Sequence, residues 1–116
     1  MVVVVKNMNT VPGKDLGPAV PGVTKQVLIG PADGAPNFVM RRFILAPGAA
    51  TPWHQHAWEH EAFVVEGEGV AKSDAGETKV AFGSVVFVPG NAMHQFKNTG
   101  TKTFSFLCLV PPEGDK

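Results

Sequence analysis

The chain is a succession of short apolar or alternating runs, and turn residues separate each run from the next. Side chains alternate between two faces along a strand, whereas a helix needs a longer run with an apolar residue at every third or fourth position. No ten-residue stretch shows the helical pattern. Turn signals such as Pro47-Gly48, Asp74-Ala75-Gly76 and Pro89-Gly90 separate the runs instead. The predicted strands are 24–29, 38–46, 51–56, 61–66, 69–73, 78–82, 84–88, 93–98 and 103–110. Such a series predicts an all-β antiparallel sandwich or barrel.

The length and the ends of the chain set its domain organisation. A chain of 116 residues builds one sizeable core, so we predict a single domain over residues 1–116. Residues 7–22 contain three prolines and three glycines, which predicts an irregular arm after a candidate short strand at 2–5. The tail, residues 111–116, is expected to be loosely ordered.

Charge and cysteine content exclude several classes of partner. Lysine and arginine total 10, as do aspartate and glutamate, so no net field attracts nucleic acid or an anionic membrane. The single cysteine, Cys108, rules out an internal disulfide framework and suits a reducing compartment. The valine run at 2–5 is too short for a signal-peptide core, and no apolar run approaches membrane-spanning length. We therefore expect a cytoplasmic protein that binds neither nucleic acid nor membrane.

All four histidines of the chain stand where one divalent metal ion could collect them: His54, His56, His60 and His94. On a strand, His54 and His56 would point to the same face and form a two-imidazole clamp. A short turn would return His60 to the clamp, and His94 would arrive from a distant strand. Imidazole suits iron, nickel, copper and zinc, and affinity rises along that series as far as copper.

Two motifs in the chain resemble those of the cupin superfamily. The first has glycine, His-x-His, a further ligand and a closing glycine, here Gly48, His54-x-His56 and Gly67. The second is matched by Gly83, Pro89, His94 and Asn98, while Asn91 replaces a glycine in a turn where asparagine is tolerated. The resemblance, which runs from about residue 24 to 110, implies an antiparallel double-sheet jelly-roll barrel with the metal inside one open end. It also implies assembly as a homodimer.

The spacing of the first motif selects His60 as a metal ligand. Both His60 and Glu61 satisfy the gap after His56, but only His60 leaves six residues before Gly67. His60 thus takes a position that glutamate usually holds, and the chain resembles the small single-domain manganese cupins of the four-histidine type. Four neutral imidazoles leave the ion its full charge and two open coordination positions. We expect one divalent ion per chain, manganese by resemblance, with iron, copper, nickel or zinc as alternatives.

Arg41 and Arg42 stand together inside the predicted strand 38–46, so one guanidinium should point into the barrel. We predict that this is Arg41, and that it holds a carboxylate or another anionic group of the substrate. The alternative is an internal salt bridge with Glu61 or Glu66.

The last predicted strand places even-numbered residues on one face, which by resemblance looks towards the metal. Cys108 on this face could tune oxidative chemistry, although a small buried core residue is the commoner fate of a free cysteine. The predicted pocket walls are Thr51, Ala62, Phe106, Cys108 and Val110, and each taken singly could equally belong to the core.

The leading functional hypothesis is a metal-dependent oxidoreductase of dioxygenase type that acts on a small oxygen-rich or aromatic substrate. The reaction class rests on family analogy, because cupins also include decarboxylases, isomerases and proteins without activity. The alternatives are an oxalate-decarboxylase-like enzyme, a non-catalytic ligand-binding module, and a metal site that only stabilises the barrel.

Overall fold

The computed structural model describes residues 2–115, and Met1 and Lys116 lie outside the described residues. Within these residues nine strands form, and three short 3-10 helices occupy Met8–Thr10, Pro31–Asp33 and Pro112–Asp115. The strands are β1 (Lys14–Asp15), β2 (Val23–Ile29), β3 (Val39–Leu45), β4 (His60–Glu66), β5 (Glu68–Ser73), β6 (Gly76–Ala81), β7 (Val85–Val88), β8 (His94–Lys97) and β9 (Phe104–Val110). Within residues 2–115 no helix has the length and apolar character required to cross a membrane.

Two antiparallel sheets face each other, which confirms the predicted all-β jelly-roll barrel. The larger sheet has the order β1-β2-β3-β9-β4-β7, and the smaller has the order β6-β5-β8. β9 pairs with both β3 and β4, so strands distant in sequence meet at the centre of the larger sheet. Arg41 lies opposite Cys108 in this register, and Cys108 lies opposite Ala62 on the other side. The inward side chains of three strands therefore meet on one barrel wall.

The core fills the space between the sheets with aliphatic and aromatic side chains. Stacked and tilted phenylalanine rings form its centre: Phe106 lies 4.3 Å from Phe96 and 5.6 Å from Phe104 between ring centroids. Both sheets contribute, because Phe96 comes from β8 and the other two from β9. The remaining buried members include Val23, Val39, Leu45, Ala62, Val64, Val80, Cys108 and Val110. This packed layer supports one end of the barrel, where the histidines lie.

Two predicted strands are wrong. Residues 51–56 form a loop that contacts β8 through an isolated bridge between His54 and His94. Pro52 has no N–H group to donate, which works against a continuous ladder at this position. Residues 2–5 are not a strand either, and their valines are exposed. In the described chain no neighbouring strand edge takes up this segment.

Both ends of the chain are more ordered than predicted. The arm at 7–22 contains a 3-10 helix and the two-residue strand β1, and the side-chain amide of Gln26 bonds to the carbonyl oxygens of Met8 and Val11. The tail, expected to be loose, forms the 3-10 helix Pro112–Asp115, while Lys116 lies outside the described residues. This helix packs beside the open end of the barrel, where Asp115 lies 2.6 Å from the ammonium of Lys25.

Candidate metal centre

Two strands and one loop deliver the histidines to one end of the barrel. His60 is the first residue of β4, and His94 is the first residue of β8. His54 reaches the same level because its backbone N–H and C=O exchange hydrogen bonds of 3.2 and 2.9 Å with His94. His56 follows in the loop. The expected two-imidazole clamp on a continuous strand is thus replaced by a loop that is held against β8.

The imidazole rings converge on a common point. Ring centroids lie 4.9 Å apart for His54 and His94, 4.9 Å for His56 and His94, and 4.7 Å for His60 and His94. One ligand nitrogen from each of His54, His56 and His94 lies within 4.8 Å of the others. His60 lies outside this three-histidine group but approaches His94, with 3.1 Å between their Nε2 atoms.

These distances fit a divalent metal ion. Two nitrogen ligands at about 2.1 Å from a metal and at right angles to each other lie about 3.0 Å apart. The Nε2 atoms of His60 and His94 lie 3.1 Å apart, as two adjacent ligands of one ion would. The three-histidine group is consistent with a divalent metal, and His60 as its fourth ligand stays a prediction.

Hydrogen bonds at the far side of two rings fix which nitrogen is free. Nδ1 of His56 donates to the carbonyl oxygen of Trp58 at 2.9 Å, and Nδ1 of His94 donates to that of Ala92 at 2.8 Å. A carbonyl oxygen only accepts, so both protons sit on Nδ1 and both Nε2 lone pairs are available. Nδ1 of His60 lies 3.1 Å from Sγ of Cys108, which gives the third ring a partner as well.

The surroundings of His54, His60 and His94 favour the neutral form of these rings. Burial, together with the neighbouring imidazoles and Arg41, which repel a proton, lowers the pKa of His60 to about 3. Burial also lowers the pKa of His54 and His94, and the nearby rings add to the effect. An imidazole binds a metal only in its neutral form. The pocket thus favours for His54, His60 and His94 the neutral form that metal binding requires.

A cavity of about 300 Å³ opens beside the imidazoles. Among the predicted pocket residues, Thr51, Phe106 and Cys108 line it, and Arg41 does too. Ala62 and Val110 belong to the buried core cluster and are not among the lining residues. Sequence reasoning missed six further lining residues: Leu16, Lys25, Phe43, Pro52, Phe96 and Gly114. Lys25 and Phe43 were detectable in principle, because they occupy paired, inward positions on β2 and β3.

The two arginines of β3 point to opposite faces, and both are buried. Arg41 lines the cavity and donates to Sγ of Cys108 at 3.0 Å. Its carboxylate neighbour is Asp115, at 3.6 Å, and neither Glu61 nor Glu66 fills that role. Arg42 makes the salt bridge to Glu66, at 3.1 Å, on the outer face of the sheet. The internal salt bridge with Glu66, which was the alternative for Arg41, is therefore made by Arg42.

The aromatic residues around the metal site shape the cavity. Trp58 stacks on His56 with a centroid distance of 4.5 Å and an interplanar angle of 8°. The guanidinium of Arg41 lies 4.9 Å from the centroid of Phe43. Together with Phe106, these rings give the cavity flat apolar walls between a cluster of imidazoles and a cationic group. Such walls accommodate a planar or apolar ligand body with polar ends.

A jelly-roll barrel with a histidine cluster at its open end defines a metal-site β-barrel of the cupin kind. The model for the family "Cupin domain" matches residues 41–110, more than half of the chain. The chain belongs to the cupin superfamily and is of the cupin 2 type.

Two curated proteins and two solved structures are similar to this chain. It is 32% identical, over 81% of its length, to 1-methylthio-D-xylulose 5-phosphate methylsulfurylase from Rhodospirillum rubrum, and 27% identical to auxin-binding protein 1 from Arabidopsis thaliana. The chain spans only 59% and 60% of these curated relatives. The structure of the polyketide cyclase RemF from Streptomyces resistomycificus superposes with a TM-score of 0.88 at 31% identity, covering 96% of this chain and 80% of that one. A predicted oxalate decarboxylase from Thermotoga maritima shares the fold, with a TM-score of 0.82 at 21% identity, covering 93% and 98% of the two chains.

Proposed function

We propose that this cupin is a metal-dependent enzyme acting on a small oxygen-rich or aromatic molecule bound beside the ion. The observation that carries the proposal is the convergence of the imidazoles at one side of a cavity lined by Phe43, Phe106 and Trp58. A site that served only to stabilise the barrel would not need an adjoining cavity. The cavity leaves room for a substrate oxygen at the ion's open positions.

In this proposal His54, His56, His60 and His94 hold one divalent ion, which we propose to be manganese. When bound, the ion supplies Lewis acidity and, if it is redox-active, a site for dioxygen. The chain's own residues hold the ion, bind the substrate and exclude water. Neutral imidazoles leave the charge of the ion uncancelled, and the aromatic walls hold the substrate body and exclude water. Arg41 binds an anionic group of the substrate through its guanidinium.

Oxidation of dioxygenase type is the reaction we propose first. This choice rests on analogy with other cupins, and the four histidines and a cavity that suits an aromatic body are compatible with it. No carboxylate lines the cavity within residues 2–115, so the described residues offer no obvious internal carboxylate base. Chemistry that depends on a base would have to use an imidazole, the substrate itself or a hydroxide on the ion.

A second candidate is ring closure without net oxidation, in which the ion polarises a substrate carbonyl group. The similarity to the polyketide cyclase RemF, at 31% identity over 96% of this chain, favours it. The two candidates differ in whether dioxygen is consumed. They also differ in their metal requirement, because zinc can polarise a carbonyl but cannot change oxidation state.

Exchange of the metal separates these reactions. Metal-free protein is loaded with manganese, iron, nickel, copper or zinc and incubated with catechols, oxalate, thiols and an aromatic polyketide. Oxidation predicts dioxygen uptake with redox-active metals and none with zinc. Ring closure predicts product without dioxygen and with zinc. Release of equal amounts of carbon dioxide and formate from oxalate, without net dioxygen consumption, would identify an oxalate decarboxylase. Binding without turnover under every metal would identify a non-catalytic module.

We also propose that the chain forms a homodimer through the outer face of β4 and β7. Phe63, Val85 and Phe87 lie side by side there with 37%, 76% and 59% of their surface exposed. Contiguous exposed apolar side chains of this size favour a self-complementary contact. Sedimentation velocity should give a dimer, Phe87→Glu should give a monomer, and Thr78→Glu on β6 should leave the dimer intact. We also propose a cytoplasmic location, which the single cysteine favours because it suits a reducing compartment.

A further inference from the structure

Two cationic side chains of the cavity wall, Lys25 and Arg41, meet the carboxylate of Asp115 near the tail. Asp115 places Oδ1 2.6 Å from Nζ of Lys25 and 3.6 Å from a terminal nitrogen of Arg41. Lys25 comes from β2, Arg41 from β3 and Asp115 from the 3-10 helix Pro112–Asp115. Two cations thus face one carboxylate, which leaves this part of the cavity with an excess positive charge.

The hydrogen bonds of the cluster are incomplete. Arg41 Nε is buried and has no hydrogen-bond partner within residues 2–115. Asp115 Oδ1 is also buried and makes no hydrogen bond of normal geometry, although the ammonium of Lys25 lies close to it. The side chain of Arg41 is only 10% exposed, so water has little access to the guanidinium. Buried polar atoms left in this way are costly, and they favour binding of an oxyanion that satisfies them better.

Asp115 reaches the cations from a segment that is held by few contacts. The 3-10 helix has one turn, with a hydrogen bond of 2.9 Å from Gly114 N–H to the Pro111 carbonyl oxygen. Gly114 packs against the indole of Trp58, and its carbonyl oxygen accepts from Arg41 at 3.4 Å. A one-turn helix on the rim can shift at lower cost than a strand of the barrel.

The cluster and the metal site belong to one cavity. Cys108 Sγ lies between them, 3.0 Å from a guanidinium nitrogen of Arg41 and 3.1 Å from Nδ1 of His60. Phe43 and Phe106 stack at 5.7 Å along the wall that joins the two ends. A planar molecule lying on these rings could bind the ion through oxygens at one end and present an anion at the other.

We propose that Lys25 and Arg41 form an anion subsite for the carboxylate of an aromatic substrate, and that Asp115 is an internal competitor for it. The proposal rests on the proposed function, since it extends the same site to a substrate class. An aromatic carboxylate binds by displacing Asp115 from the two cations, and its oxygens meet the buried Nε of Arg41. The helix Pro112–Asp115 then moves away from the opening, so the site couples substrate binding to the position of the tail.

The test is calorimetric and needs no turnover. The zinc-loaded protein is titrated without dioxygen with 3,4-dihydroxybenzoate, which has a metal-binding diol and a carboxylate at opposite ends of one ring. The neutral control is 4-methylcatechol, which keeps the diol. Three variants are compared with the unmodified protein: Lys25→Met, Asp115→Asn and, as a matched control on the same helix, Glu113→Gln, whose side chain is exposed.

We expect Asp115→Asn to bind 3,4-dihydroxybenzoate at least fivefold more tightly, and Lys25→Met to bind it about tenfold more weakly, as for loss of a charge-assisted hydrogen bond. Neither change should alter the affinity for 4-methylcatechol, and Glu113→Gln should resemble the unmodified protein. The proposal is overturned if Asp115→Asn leaves the affinity for the carboxylate unchanged or weakens it.

A second arm separates this proposal from the proposed function. Metal-free protein is titrated with benzoate, which addresses the subsite alone. If neither catechol binds the zinc-loaded protein but Asp115→Asn still tightens benzoate binding, the subsite stands and the metal function fails. If benzoate binding responds to neither variant while thermal melts show that both are folded, the subsite is rejected.

Discussion

The Nε2 atoms of His60 and His94 lie 3.1 Å apart, although the residues are 34 positions apart in the chain. Neither nitrogen has another partner that would fix it there, because the Nδ1 atoms take the contacts with Cys108 and with the Ala92 carbonyl oxygen. Two lone pairs directed at each other repel unless a proton or a metal ion lies between them. A hydrogen-bonded proton or a shared metal ion would each hold the pair at this distance, and metal binding by a His60 variant distinguishes the two.

Replacing His60 with alanine should weaken metal binding by more than about 100-fold, beyond the effect of losing an outer-shell partner. The matched control is Glu61→Ala, because Glu61 is exposed and points away from the cavity on the same strand. Metal content after dialysis against a chelator of known affinity, measured by elemental analysis, gives the comparison. If Glu61→Ala lost the metal and His60→Ala kept it, the register chosen from the sequence would be wrong.

Cys108 should act through His60 by accepting a hydrogen bond from its Nδ1. Cys108→Val preserves bulk but removes the acceptor, so we expect metal affinity to fall by about 10- to 100-fold. Arg41 also loses a partner, because it donates to the same sulfur at 3.0 Å. Cys108→Ser keeps an acceptor and should recover most of the affinity. Competition with a coloured chelator measures both variants, and equal affinities in the two would refute a hydrogen-bonding role.

Strands whose side chains alternate regularly between clear turns could be predicted from the sequence alone. β9 alternates along its length and ends at turns, so the predicted 103–110 and the observed Phe104–Val110 differ by one residue. The loop at 51–56 could not be predicted in the same way. Whether its backbone groups join a ladder depends on β8, which supplies bonds only at Thr51 and His54. Pro52 between them cannot donate one.

Contacts between side chains that are far apart in the sequence could not be predicted from it. The spacing to Gly67 selected His60, because motif spacing encodes a local turn. The partner of Arg41 is Asp115, 74 positions away on a tail for which no order was expected. Nothing in the composition of that tail signals its packing against the barrel. The sequence therefore suggested a nearer glutamate as the salt-bridge partner of Arg41. Glu66, one of these glutamates, is instead bound by Arg42.

The metal-free protein should lose stability on acidification because His60 is held neutral. Its folded pKa is about 3 and its ordinary value is 6.5, so between these values the unfolded chain binds the extra proton. Stability is complete above pH 6.5 and decreases towards pH 3, by at most about 1.4 kcal/mol per pH unit for each such histidine. Urea unfolding with chelator present, from pH 7.5 down to 4.5, should show this slope. In His60→Gln the slope should be smaller, and an unchanged slope would assign the effect to other groups.

Gly67 should be required for the crossing from the larger to the smaller sheet. It lies between β4 and β5 with a φ of 74°, and a Cβ atom there would overlap the carbonyl oxygen of Thr103. Gly76 is a matched control, because its φ is 114° but no atom lies within 4 Å of the position of a Cβ. Gly67→Ala incurs both the backbone cost and the overlap, so we expect it to destabilise the fold by at least ~3 kcal/mol. Gly76→Ala should cost only about 1 to 2 kcal/mol. The urea midpoints of the two variants measure this difference in stability. Equal destabilisation would mean that the crossing has room for a Cβ atom and that Gly67 is needed only for its positive φ.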